Sequence, residues 1–177
     1  RLFAALNAAV PAGNTITLGA GAEWDGTTPA IRNNVIDAME LVREAQVPNQ
    51  DDSFLGFEPT IMVLSTRTAT SIMKDDDWRK AYENSPLANK NPFYTGQLEK
   101  QALGLNILTS RFMDDDFVFV LEPKTVGGYS DERPLQTSPT YEDRDREIWR
   151  SNVVRRTAVF VDQPYAIAKI ANVKAAA

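Results

Sequence analysis

Two residue types that carry much of enzyme chemistry are missing from this chain of 177 residues, which contains no cysteine and no histidine. Their absence excludes disulfide bonds, zinc sites built from these residues, thiol nucleophiles and every mechanism that uses imidazole as a general base. Chemistry based on carboxylates, lysine or tyrosine stays open, as do metal sites with oxygen ligands. The sequence also has no apolar run near the ~20 residues that a membrane-spanning helix needs, so we expect no membrane partner.

The overall charge is moderately acidic. The 24 acidic residues outnumber the 19 lysines and arginines, which gives a formal net charge of −5. A general nucleic-acid binder neutralises phosphates with clustered Lys and Arg, so this balance argues against that class. Hydrophobic residues make up 43% and charged residues 24%, as in ordinary globular proteins. Because the chain opens on Arg1 and residues 2–6 resemble the tail of a helix, we expect a fragment of a longer polypeptide.

The first part of the chain predicts a linker, an amphipathic helix and a buried strand. Residues 11–30 are rich in Gly, Thr and Ala and predict a loop. Thr28 and Pro29 predict a helix start. Apolar residues at helical spacing follow, namely Ile31, Val35, Ala38, Met39, Val42 and Ala45. The apolar run 61–64 predicts a strand covered on both faces, and Ser65 predicts the N-cap of a further helix.

The second part predicts mainly strands. Residues 97–102 predict a short helix, and Gly104 after it can adopt a left-handed turn. Two strands are expected at 105–109 and 117–121, and the pair Gly127 and Gly128 predicts a turn.

The strongest β signal lies near the end of the chain. Residues 148–161 are rich in β-forming residues, a turn is expected at 162–164, and residues 165–173 predict a second strand. We expect these two segments to pair as a long hairpin that carries the Phe160 side chain on its core face.

Two runs of three carboxylates, at 75–77 and 114–116, are candidates for a metal site with oxygen ligands. The first run lacks the alternating ligand spacing and the glycine of a calcium loop. Helix capping accounts for the first run, and solvated charges at a turn between strands account for the second. We therefore predict no metal site, and an α/β enzyme that uses these carboxylates with Mg²⁺ stays open as an alternative of another class.

Two segments carry groups suited to contacts with another copy of the chain. Residues 83–96 are rich in Asn and Pro and predict a long loop, and loops of this length often carry a function. Residues 142–147 alternate in charge sign, and such charges set the register between partners. The candidate contact residues are Asn89, Asn91, Glu142, Asp143, Arg144, Asp145 and Arg146.

The order of these segments resembles the C-terminal part of tailed-bacteriophage major capsid proteins, which have the Hong Kong 97-type capsid fold. The resemblance is carried by the charged step 142–145, the β run 153–161 and the segment 163–167. Residues 104–107 are similar to a glycine-leucine-proline-valine turn of that family, with Asn106 in place of proline.

The resemblance implies an α+β fold with a mixed sheet flanked by helices, the axial domain, and a long β-hairpin of the peripheral domain. On this basis residues 1–29 are a helix tail and linker of the peripheral domain, residues 30–147 form the axial domain, and residues 148–177 are the C-terminal β segment of the peripheral domain.

The function that the resemblance implies is structural. It predicts a subunit without catalytic residues, cofactor or metal, which assembles into the pentamers and hexamers of an icosahedral shell. The shell would enclose DNA without binding it specifically, and the protein would reside in the virion after assembly in the host cytoplasm. A shell protein of an encapsulin-type nanocompartment shares the fold and stays open as an alternative.

Overall fold

The chain forms a six-stranded mixed sheet with helices on both faces and a long two-stranded ribbon. The computed structural model describes residues 2–46, 55–83, 98, 100–143 and 148–174. The helices in these ranges are α1 (Leu2–Ala9), α2 (Ile31–Arg43), α3 (Thr66–Lys74) and α4 (Asp76–Glu83), with short 3₁₀ helices at Ala12–Asn14 and Pro164–Ala166. The strands are β1 (Thr15–Thr17), β2 (Ile61–Ser65), β3 (Gln101–Ala102), β4 (Leu105–Ser110), β5 (Phe117–Leu121), β6 (Gly127–Thr137), β7 (Tyr141–Asp143), β8 (Ile148–Arg150), β9 (Val153–Val161) and β10 (Ile167–Ala171).

The six-stranded sheet has the order β1-β10-β5-β2-β4-β3. The pairs β1–β10 and β2–β4 are parallel, and the other three pairs are antiparallel. The inner strands β2 and β5 are almost wholly apolar and are buried along most of their length, as expected of strands covered on both faces. The expectation of an α+β fold with a mixed sheet flanked by helices is confirmed.

Each face of the sheet has its own hydrophobic cluster. Helices α2, α3 and α4 contribute to the cluster on one face, which we call the helix face. Helix α1 contributes Leu6 to the cluster on the opposite face, together with Phe119 and Ile167. The six apolar residues predicted to line one side of α2 are all buried, because a helix packed on a sheet buries one stripe at 3.6-residue spacing.

Helix α2 begins two residues later than the sequence suggested, at Ile31 rather than Pro29. Its N-cap is Ala30, which makes no side-chain capping bond. The Thr28 hydroxyl and the Thr28 backbone N–H both donate to the carbonyl oxygen of Gly21, at 3.1 and 3.0 Å. Thr28 therefore closes the preceding loop, and the prediction that it starts the helix is wrong.

The two following helices are capped as predicted. The Ser65 hydroxyl accepts a hydrogen bond from the backbone N–H of Thr68 at 3.1 Å and caps α3. A carboxylate oxygen of Asp75 accepts from the backbone N–H of Trp78 at 2.8 Å at the start of α4. Each bond satisfies a donor that the first turn of a helix leaves free.

The short helix expected at residues 97–102 is wrong for the residues that the structure describes there, 98 and 100–102. Gln101 and Ala102 form β3, which pairs with the start of β4. Leu103 and Gly104 both have positive φ, 53° and 80°, as a two-residue hairpin turn requires. The local pattern is therefore a tight hairpin, with Gly104 in the left-handed conformation as expected.

The long ribbon differs from the predicted hairpin in the identity of its strands. Strand β9 pairs with β6, and β7 pairs with β8 farther along. The backbone N–H of Ser138 donates to the carbonyl oxygen of Asn152 at 2.8 Å and links the two ladders. Gly127 and Gly128 open β6, so the prediction of a turn there is wrong.

Strand β10 does not belong to the ribbon, so the predicted pairing of residues 148–161 with residues 165–173 is also wrong. It lies between β1 and β5 in the six-stranded sheet. Its residues Ile167, Ala168 and Ile170 are fully buried, because small and branched residues fit a strand covered on both faces.

The division of the chain into domains at residues 29 and 147 stays a prediction.

Candidate subunit-contact surfaces

The predicted contact residues fall into two groups. Asn89, Asn91, Arg144, Asp145 and Arg146 lie outside the described residues, so their assignment stays a prediction. Glu142 and Asp143 lie in β7, where their backbones pair with Trp149 and Ile148 of β8. Strands β7 and β8 together form the far end of the ribbon, which we call the ribbon tip.

The ribbon tip exposes large apolar side chains that sequence reasoning did not select. Trp149 is 70% exposed, and Tyr141 and Ile148 are 46% and 42% exposed. Trp149 lies directly opposite the exposed Glu142 in the ladder. Exposed aromatic residues beside charged ones are typical of interface anchors. The sequence signal that could have indicated this surface is a tryptophan next to a charged segment.

The middle of the ribbon is fixed by a charged pair. The Nε and Nη2 atoms of Arg155 donate to the two carboxylate oxygens of Asp131 at 3.1 and 2.9 Å. The Thr157 hydroxyl donates to the same carboxylate, and the Arg155 guanidinium lies 5.7 Å from the centroid of the Tyr129 ring. The hydrogen bonds from Arg155, and then from Thr157, lower the pKa of Asp131.

We expect the carboxyl group of Asp131 to titrate below its usual pKa of 3.8. Because the folded-state pKa is lowered, the pair stabilises the ribbon above the pKa of the unfolded chain, and this contribution is lost as the pH falls through the folded-state pKa. Carboxyl carbon chemical shifts followed by NMR measure the titration. Arg155→Met should return the pKa of Asp131 towards 3.8, whereas Arg156→Met, which removes a pair with Glu132, should leave it low. An unshifted pKa in the unmodified protein would contradict the pairing.

An open groove of about 600 Å³ lies between α1 and the ribbon. Its lining includes Leu2 and Leu6 of α1 and Tyr129, Val159 and Phe160 of the ribbon. Phe160 is 52% exposed. The prediction that Phe160 faces the core is therefore wrong, because β9 pairs with β6 in the ribbon rather than with the buried strand β10.

The loop at residues 111–116 connects β4 to β5, which are separated in the sheet by β2. The sequence predicted that the carboxylates of this loop are solvated, and this holds for Asp114 and Asp116, which are exposed. The prediction is wrong for Asp115. Its carboxylate accepts a hydrogen bond from the Ser65 hydroxyl, and the Arg67 guanidinium lies 3.4 Å from it. Asp115 therefore ties this loop to the start of α3.

The two carboxylate runs do not gather into one cluster. Within the described ranges, no three side chains of metal-ligating type lie close enough to hold an ion. None of the helices described is long and apolar enough to cross a membrane.

The architecture and these surfaces can be compared with known proteins. A family model described as phage capsid protein matches residues 1–170. The chain belongs to the phage capsid protein family. Among curated proteins, none matches this chain.

Solved structures show the same fold for this member of the phage capsid family. A phage-related protein from Bordetella bronchiseptica RB50 is 14% identical with a TM-score of 0.67, and the match covers 94% of this chain and 58% of that one. A structure from Mycobacterium phage Che8 is 16% identical with a TM-score of 0.64 and coverages of 89% and 53%. The capsid of an empty GTA particle is 15% identical with a TM-score of 0.60 and coverages of 89% and 49%. The chain thus spans about half the length of these structural relatives.

Proposed function

We propose that this chain is part of the structural subunit of a bacteriophage capsid, which assembles into the pentamers and hexamers of an icosahedral shell that encloses DNA. The observation that carries the proposal is the match to the phage capsid family over residues 1–170. The similarity to the capsid of an empty GTA particle supports a shell of repeated subunits. The virion is then the final location of the protein, and the host cytoplasm is the site of assembly.

The ribbon supports an assembly role because it offers contact groups away from the sheet. A two-stranded ribbon is marginally stable alone, and contacts with a neighbour would stabilise it. The tip presents the apolar ring of Trp149 beside the carboxylate of Glu142. We assign the tip, including the predicted contact residues Glu142 and Asp143, to the surface between neighbouring subunits.

The charge of the chain supports a container that does not adhere to its contents. A net charge of −5 repels the phosphate backbone, so DNA would be enclosed without specific binding. Within the part of the chain that the structure describes, no three carboxylates converge as metal-assisted chemistry requires. This supports a structural role over a magnesium-dependent enzyme.

Electron microscopy of the complete gene product tests this function. We expect closed particles of uniform size from the unmodified protein. Trp149→Ser should raise the protein concentration needed for assembly by about tenfold, because truncating an aromatic anchor weakens an interface. The control Ile36→Ser alters a 39% exposed apolar residue on α2 and should assemble normally. Absence of particles from the unmodified protein would contradict the capsid role, and normal assembly of Trp149→Ser would contradict the role of the tip.

A further inference from the structure

The open groove between α1 and the ribbon lies where the ribbon joins the six-stranded sheet. Its lining includes Leu121 at the end of β5, together with Gly127 and Val161, which form the first pair of the β6–β9 ladder. We call it the base groove. The base groove and the ribbon tip therefore lie at opposite ends of the ribbon.

The base groove combines an apolar wall with cationic groups. Leu2 of α1 and Phe160 of β9 contribute exposed apolar surface to it, at 48% and 52% exposure. Among the described residues of its lining, the charged ones are Lys124 and Arg155. The Arg155 guanidinium already donates to Asp131, so the exposed Lys124 is the cation that a partner would meet. Such a surface fits an aromatic ring with a carboxylate beside it.

The ribbon tip carries these two groups on one face. Trp149 is 70% exposed and lies opposite Glu142 in the β7–β8 ladder. Side chains directly opposite each other in an antiparallel ladder share a face, with their Cβ atoms about 5 Å apart. Arg150 follows Trp149 in the strand and lies on the other face, because successive side chains alternate. One face of the tip therefore presents an indole ring and a carboxylate together.

The tip matches the base groove better than another highly exposed ring does. Phe112 is 78% exposed, the highest value among the large hydrophobic residues that the structure describes. The Arg111 guanidinium lies 4.9 Å from the centroid of the Phe112 ring, and Lys124 would repel that cation. Glu142 beside Trp149 would instead attract Lys124.

A copy of the chain does not reach its own base groove with its own tip. The ribbon runs from the pair Gly127–Val161 at the base to the pair Glu142–Trp149 at the tip. At about 3.3 Å per residue, the roughly 12 residues from Trp149 to Val161 span about 40 Å. A backbone hydrogen bond joins the two ladders, so folding the tip back onto the base would require breaking the ladder. The partner that brings a tip to the groove is therefore a second copy.

We propose that the ribbon tip of one copy docks into the base groove of a second copy, with the Trp149 ring against the apolar wall. The Glu142 carboxylate of the tip then faces Lys124 of the groove. Burial of the indole supplies affinity, and the charge pair sets the register. The contact rests on the proposed shell function and identifies the surface that receives the tip.

Variants of the complete gene product test this contact by light scattering. Phe160→Ala should raise the protein concentration needed for assembly by about tenfold, because it removes an aromatic ring from the groove wall. Ile36→Ala, which shortens a 39% exposed side chain on α2, is the control and should assemble normally. Thermal unfolding should show that both variants stay folded, since the altered side chains are partly exposed.

A charge exchange tests the register of the contact. Lys124→Glu and Glu142→Lys should each raise the concentration needed for assembly by about threefold, since each places like charges opposite each other. The variant that carries both changes should assemble close to the unmodified protein, because the charges are then exchanged across the contact. A combined variant that loses as much as the two single variants together would overturn this pairing.

Cross-linking tests which surfaces meet. This chain contains no cysteine, so introduced thiols report on chosen positions. Ser151→Cys, at an exposed position beside the tip, and Leu2→Cys, in the groove, are placed in two proteins of different size that assemble together. A short bis-maleimide should link the two proteins into one product on a denaturing gel. Ser151→Cys with Ile36→Cys is the matched control and should give no link above that of the unmodified protein.

The outcomes separate this contact from the proposed function. Normal assembly of Phe160→Ala, or no link between Ser151→Cys and Leu2→Cys, would overturn the contact and leave the shell function standing. A Leu2→Cys thiol that a maleimide does not label in the unassembled subunit would also overturn it, because another segment of the complete gene product would then occupy the groove. An unmodified protein that stays monomeric would overturn the proposed function and this contact with it.

Discussion

We expect replacement of Phe119 with alanine to lower the free energy of unfolding by about 3–5 kcal/mol. Phe119 is fully buried in β5, an inner strand of the sheet. Its ring lies 5.2 Å from the ring of Phe117 and packs in the cluster that α1 covers. The substitution removes apolar contacts and leaves a cavity that the strands on either side cannot close. Chemical denaturation followed by circular dichroism measures the loss.

The matched control for Phe119 is Phe160→Ala, which removes the same ring from a half-exposed position on the ribbon. We expect the control to change the free energy of unfolding by less than about 1 kcal/mol, since exposed side chains away from the core contribute little. Equal losses from the two substitutions would contradict the burial of Phe119 and the exposure of Phe160. The pair also tests the earlier expectation that Phe160 faces the core.

Local patterns in the sequence were sufficient for helix α2, strands β2 and β5 and the caps of α3 and α4. In each case the signal lies within a few residues, as in the apolar stripe of α2 or the hydroxyl of Ser65 at the start of α3. Such short-range features reflect side-chain periodicity and backbone hydrogen bonding, which neighbouring residues determine.

Strand pairing could not be predicted in the same way. Strands β9 and β10 follow each other closely, so adjacency in sequence favoured a hairpin between them. The observed partner of β9 is β6, which precedes it by more than ten residues. The burial of Ile167 and Ile170 on the sheet decides the place of β10, and burial depends on contacts that are distant in sequence.

The candidate contact surfaces were predicted only in part. Glu142 and Asp143 stand out in the sequence because they begin a dense run of charges that alternate in sign. The exposure of Phe112 and Trp149 does not stand out, since a large apolar residue is ordinarily assigned to a core. Only the fold shows that these rings face solvent.

Gly127 shows why a glycine can be misinterpreted from sequence, and it carries the second large prediction. Its φ is 156°, and a Cβ atom added there would lie 2.3 Å from the Phe160 carbonyl oxygen and 2.9 Å from the Val161 Cα. Both obstacles are backbone atoms of the paired strand β9, so they cannot move without separating the ribbon. We expect Gly127→Ala to lower the free energy of unfolding by about 3 kcal/mol or more, since a steric clash adds to backbone strain.

The adjacent Gly128 is the control for Gly127. A Cβ atom there would approach the Cζ atom of Phe160 at 3.3 Å, and this half-exposed ring can turn aside. We expect Gly128→Ala to cost less than about 1 kcal/mol in the same denaturation experiment. Hydrogen exchange should show faster exchange of the ribbon amides in Gly127→Ala, because the clash lies in the first pair of that ladder. If Gly127→Ala lowered the free energy of unfolding by only about 1 kcal/mol, as expected for a glycine in an open turn, the assignment of Gly127 to the β6–β9 ladder would be contradicted. A large loss at Gly127 with a small one at Gly128 distinguishes a glycine required for close strand approach from one required for a turn.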